Sequence, residues 1–202
     1  NNRYATSTGE EFGRSASYQE PEEKEARQAS STVSAQANPP VRTPYRYEGG
    51  AFEQPLVVIR VAFSDQGFEY SDAEISARIF GSSDSVSSYF FEGSGQQFRI
   101  VPASESDGTS GDGIVRMTLS SAHPDFGSSY GTQSRNLVTS AVQALGGKIN
   151  LSSYDRNGDS WLDPSELGVI VLAAGFEQAY ASSATTHPRV WAHKSSVPAV
   201  NT

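Results

Sequence analysis

Apolar residues are spread unevenly along the chain's 202 positions. Residues 1–50 contain no Leu, Ile, Met or Trp, and they mix Ser, Ala, Gln and Glu with the charged stretch Glu20-Pro21-Glu22-Glu23-Lys24-Glu25. Such a segment buries too little apolar surface to offset the entropy of ordering it. Two readings stand for residues 1–52: a flexible leader ending in the Pro39-Pro40 to Pro44 linker, or a propeptide remnant or arm that docks on a neighbour and mediates self-association. The pattern changes at Pro55. Leu56-Val57-Val58-Ile59-Arg60-Val61-Ala62-Phe63 is a β-branched apolar run of the kind found in strands buried on both faces. Ser71-Asp72-Ala73-Glu74 follows as a capping box, with Ile75, Ile79 and Phe80 on one helical face and Gly81 as the stop.

A second helix is expected from about Ser85 to Glu92, with Val86, Tyr89 and Phe90 at helical spacing and Gly93 as its terminator. The Tyr89-Phe90-Phe91 aromatics read as core, not as a substrate box. Gln97–Val101 and Ile114–Leu119 alternate like strands, Leu137, Val138, Ala141, Val142 and Leu145 form a helical stripe closed by Gly146-Gly147, and Leu167–Ala174 is a second continuous apolar run. Arg189–His193 reads as a last short strand. Strands and helices alternate, which predicts an α/β domain over residues 53–202, a mixed twisted sheet with packed helices.

Charge and composition narrow the partners. A formal net charge of -8 and a pI near 4.9 exclude a phosphate-backbone surface, so no nucleic acid is expected, and cations are the natural partners. No apolar run approaches the roughly 20 residues that span a bilayer. The absence of Cys removes disulfide and thiolate chemistry. The opening Asn1-Asn2-Arg3 lacks an initiator Met, and the expectation is that a secretory signal has been removed and the protein is extracellular.

One segment carries a specific chemistry. Asp155, Asn157, Asp159, Asp163 and Glu166 place oxygen donors at the first, third, fifth, ninth and twelfth positions of a twelve-residue loop, the EF-hand spacing, with Trp161 contributing its backbone carbonyl and Leu162 anchoring the loop to the core. Calcium takes about six to eight hard oxygen ligands, and alternate residues of a tightly curled loop can all face one ion. Four acidic side chains within this stretch repel one another unless a cation sits among them, so Ca²⁺ is the expected cofactor, in a structural role. The alternative is a solvated Asp/Asn/Gly turn. Two features depart from an EF-hand. Ser160 holds the sixth position, where Gly is usual, and the β-branched Leu167–Ala174 run makes the loop a helix-to-strand connection, which leaves Glu166 the weakest of the ligands.

His123, His187 and His193 form no H-E-x-x-H pair, so no zinc site is read here. His123 and His187 each precede Pro and read as exposed loop residues, and His193 as a strand-end residue.

Taken in order, several segments resemble the secreted zinc metallopeptidases related to bacterial immune inhibitor A. They are Val57–Gln66, Ser85–Phe90 with Gly95–Phe98, Tyr154–Asp163 with Val169–Gly175, and the Trp-x-His of Val190–His193, together covering about residues 55–195. The resemblance implies the N-terminal subdomain of a zincin-type peptidase, a calcium-stabilised hydrolase that cleaves peptide or protein substrates outside the cell. Members of that family carry H-E-x-x-H downstream of the Trp-x-His segment, and these residues hold none, so zinc is expected only with a C-terminal part beyond Thr202 and no catalytic residue is assigned. Three explanations follow: a portion of a longer peptidase, a non-catalytic calcium-binding structural or assembly module of the same fold, or an inactive zymogen portion.

Overall fold

The computed structural model describes residues 50–125, 131–178 and 188–192. All belong to one compact unit, Pro40–Thr202. The leader or arm, up to residue 49, lies outside the described residues, as do His187 and His193.

Strand β1 (Phe52–Ala62) is the spine of the sheet. It pairs in parallel with three others: β2 (Phe98–Pro102) along its first half, β3 (Ile114–Thr118) along its second, and β4 (Gly168–Ala173) over Leu56–Val61. The backbone alternation of a strand assigns the edges. Even-numbered positions bond toward β2 and β3, with Phe52 N donating to Gln97 O, Ala103 N to Leu56 O and Leu119 N to Ala62 O, whereas the odd-numbered Val61 accepts from Ala174 N on the β4 side. Every described pairing is parallel, where the sequence reading expects a mixed sheet. Helical crossovers account for two of the returns, from β1 to β2 and from β3 to β4, because a strand that returns after a helix re-enters in the same direction; β2 reaches β3 through a loop and continues along the same edge of β1.

The same alternation divides the core. Val57, Ile59, Val61 and Phe63 face one layer, joined by Ala141 of α3 (Gly131–Gln143), Leu145 and Ile149. Leu56 and Val58 face the other, covered by Ile75 and Ile79 of α1 (Asp72–Phe80). Both faces of β1 are thus buried from Pro55 to Ile59, within its uninterrupted apolar run. Helix α1 starts where the capping box places it, with Ser71 N donating to Glu74 Oε2 at 2.8 Å and Glu74 N to Ser71 Oγ at 3.3 Å.

Helix α2 (Val86–Gly93) overturns one expectation. Its buried residues are Ser87 and Ser88, while Tyr89 is 73% and Phe90 43% exposed. Small serines let the helix approach β2 closely, and the Ser87 hydroxyl donates to Ile100 O at 2.6 Å, so the aromatics turn outward. Phe90 then meets Phe98 edge to face at 5.8 Å, on the flank of the sheet and not in its centre.

A two-residue ribbon, β5 (Phe176–Glu177) with β6 (Arg189–Val190), follows β4. A run of ion pairs ties the loops around β3: Arg60 to Asp72, Asp72 to Arg116, Arg116 to Asp107 at 3.6 Å and Asp107 to Lys148 at 3.4 Å.

Candidate metal centre

The acidic loop connects a 3₁₀ turn, Leu151–Ser153, to β4. The sequence reading expects a helix before it; α3 has already ended at Gln143, and Gly147 adopts the left-handed conformation that turns the chain away. Tyr154 fixes the start of the loop, because its hydroxyl accepts the Ser104 N–H at 2.6 Å.

Asp155 makes the curl. Its Oδ1 accepts the N–H groups of Gly158 at 2.8 Å and Asp159 at 3.1 Å, and its Oδ2 that of Ser160 at 2.8 Å. One carboxylate at the first position therefore gathers the amides of the fourth, fifth and sixth. Asn157 Oδ1 accepts from Asp159 N at 2.9 Å, Asn157 Nδ2 donates to Asp159 Oδ2 at 3.3 Å, and Asp159 Oδ1 accepts from Trp161 N at 2.9 Å. These short side chains compete well for nearby amides, which is why they shape turns. The curl requires left-handed backbone at Gly158 (φ 71°) and at Ser160 (φ 65°), the position where an EF-hand loop uses Gly.

Asp163 and Glu166 form the other end. Asp163 Oδ1 accepts from Ser165 N at 2.7 Å and Asp163 O accepts from Glu166 N at 3.0 Å, a tight turn around Pro164. This turn delivers the Glu166 side chain, with no exposed surface, back beneath the loop. Its Oε1 accepts the N–H groups of Arg156 at 2.8 Å and Asn157 at 3.1 Å, and its Oε2 that of Asp163 at 3.3 Å. Burying a carboxylate costs several kcal/mol unless such donors replace its water.

The loop is also fastened outward. Leu162 packs on the main core cluster, as the sequence reading expects, Leu167 is buried within it, and Arg156 reaches the start of β1 with its guanidinium 5.4 Å from the Phe52 ring and Nη2 donating to Glu53 O at 3.4 Å. Asp155, Asn157 and Asp159 are thus one hydrogen-bonded group with Trp161 at its edge, and Asp163 and Glu166 are a second group joined to the first through Glu166. Among the described residues, no three His, Asp or Glu side chains converge as a ready ligand set. By donor chemistry the loop fits calcium: its side-chain ligand atoms are all oxygens, the hard type Ca²⁺ selects, with no imidazole or thiolate of the kind zinc prefers.

Two buried ionisable residues lie outside the acidic loop, one unmarked by the sequence reading and one that it places in an exposed loop. Glu105, 4% exposed, accepts from Asp107 N at 2.5 Å, Gly111 N at 2.7 Å and Asp112 N at 3.1 Å, organising the loop between β2 and β3. No spacing signal marks it. His123 is 7% exposed, which corrects its reading as an exposed loop residue: its backbone N–H donates to Asp65 Oδ1 at 2.7 Å and its ring packs edge-on against Phe63, 4.5 Å between centroids. A His-Pro dipeptide reports local turn chemistry and carries no information about burial by residues distant in the chain.

No family model, curated protein or solved structure matches this chain.

Proposed function

We propose that the chain is the N-terminal portion of a secreted, calcium-stabilised zinc metallopeptidase, resembling the immune-inhibitor-A relatives, with residues 155–166 as a structural calcium loop. The observation that carries this reading is Asp155 curling its loop through the amides of Gly158, Asp159 and Ser160 while Glu166 clamps the far end. Asp155, Asn157, Asp159 and Asp163 would hold the ion together with the Trp161 carbonyl. Glu166 would join through Oε2, since Oε1 already carries two N–H groups. A bound Ca²⁺ supplies charge compensation, and this chain's residues supply its attachment: Tyr154 to the segment after β2, Arg156 to the start of β1, and Leu162 and Leu167 to the core. The zincin-like identity of the parallel sheet belongs to the same proposal.

A zinc helix has no residues in this sequence, so the peptidase chemistry would come from a following segment. The second reading is a non-catalytic extracellular calcium-binding structural or assembly module of the same fold, which the hydrogen-bonded loop supports without a zinc site. The intact mass of the natural protein and its proteolytic activity separate the two. A longer species with chelator-sensitive cleavage of a peptide substrate supports the peptidase reading, and an inactive species ending near Thr202 supports the module.

A further inference from the structure

His123 sits where the carboxyl ends of β1, β3 and β4 meet the β5–β6 ribbon. Its ring lies between Phe63 on the sheet side and Gly175, the residue that turns the chain from β4 into β5. The fit there is close: a methyl group on Gly175 would stand 3.1 Å from His123 Nε2 and 2.8 Å from the carbonyl oxygen of Pro188, which precedes β6. His123 Nδ1 accepts the Asp125 N–H at 2.9 Å, and Asp125 Oδ1 in turn accepts the Arg189 N–H of β6 at 2.8 Å. The ribbon is closed by Phe176 N donating to Pro188 O and Gln178 N to Val190 O, each at 2.9 Å.

An Nδ1 that accepts a backbone N–H has no room for a proton of its own, whereas an imidazolium is a donor at both nitrogens. We propose that His123 is a proton-operated latch: when neutral it holds the β5–β6 ribbon against the end of the sheet, and when protonated it releases the ribbon. Protonation sets two donors face to face at Nδ1, frees Asp125, and loosens the Asp125 bond to β6. Asp65 from the β1 side and Asp125 from its own loop act on the ring; the ribbon brings Arg189, whose N–H Asp125 accepts and whose Nε is buried, and Glu177, whose Oε1 accepts the Ala192 N–H. Burial pulls the imidazole below its ordinary value of 6.5 and outweighs the opposing pull of Asp125, Asp65 and the Ala174 backbone. A released, hydrated ring regains that ordinary value. The open form therefore binds the extra proton, and the closed form is fully favoured above about pH 6.5 and loses ground as pH falls below it.

Amide hydrogen exchange by NMR on the full chain tests the latch. Protection of Phe176, Gln178 and Arg189, corrected for intrinsic exchange, is expected to fall by up to about tenfold per pH unit below 6.5, while Val58 and Val61 in β1 hold theirs. The ¹⁵N shifts of His123 are expected to show Nδ1 unprotonated at pH 7.5. His123→Asn, which keeps an acceptor near the Nδ1 position and cannot titrate, removes the pH dependence. Ribbon protection that is flat from pH 7.5 to 5, or a protonated Nδ1 at pH 7.5, overturns the proposal in the unmodified protein, whatever the folding of the variant. Persistence of the pH dependence in His123→Asn overturns it as well.

Discussion

Glu166 Oε1 accepts the backbone N–H of Arg156 at 2.8 Å, joining the two ends of a loop across ten residues from a position with no exposed surface. The bond divides the roles in the loop: a buried carboxylate closes the ring of backbone, and the half-buried carboxylates of Asp155, Asp159 and Asp163 line it. Removing its charge therefore acts on the fold before it acts on any ion.

Glu166→Gln keeps the shape but turns an amide NH₂ toward backbone N–H groups. It is expected to destabilise the protein by about 1–3 kcal/mol, the range for leaving a buried polar partner unsatisfied, in calcium-free buffer as well as with calcium. Urea unfolding in both buffers measures this. A loss confined to the calcium-containing buffer contradicts the clamp.

Ser160 offers a test in the opposite direction. A side chain at φ 65° carries a steric cost of about 1–2 kcal/mol that Gly avoids, partly offset by the greater freedom Gly has when unfolded. Ser160→Gly is thus expected to raise the denaturant midpoint slightly, by the equivalent of about 0.5 kcal/mol, and Ser160→Val to lower it by more. Equal midpoints for the two variants contradict the observed turn.

At Gly175 the predicted effect is larger. With φ 120° and a Cβ that would stand 2.8 Å from Pro188 O, Gly175→Ala is expected to cost about 2–3 kcal/mol and to expose the Phe176 amide to exchange. Unfolding by urea with exchange on the same sample reads both.

The elements that the sequence discloses are those whose cause is local. The β1 run, the Ser71–Glu74 capping box and the order of oxygen donors from Asp155 to Glu166 all depend on residues within a dozen positions of one another, and each appears in the structure as a strand, a capped helix and a closed curl. What the sequence conceals depends on distant partners. Tyr89 and Phe90 have the spacing of a core stripe, but β2 lies close enough that only Ser87 and Ser88 fit beneath the helix. His123 is buried by Phe63, sixty residues earlier, and by Gly175, fifty-two later, so no local pattern reveals it. The direction of the pairings rests on partners far apart in the chain, such as Leu56 with Gly168 and Val58 with Ile114.

Calcium-dependent melting of the full chain and two of its variants is the most direct measurement. A ligand that binds only the native form at about 100 times its dissociation constant adds about 2.7 kcal/mol, which in a domain of this size raises the melting temperature by about 5–10 °C. The unmodified protein is expected to show such a rise in millimolar Ca²⁺ and to lose it in EGTA, and Asp155→Ala and Asp159→Ala are expected to melt at one temperature in both. An unmodified protein indifferent to calcium, or variants that retain the full rise, would show that residues 155–166 hold no calcium.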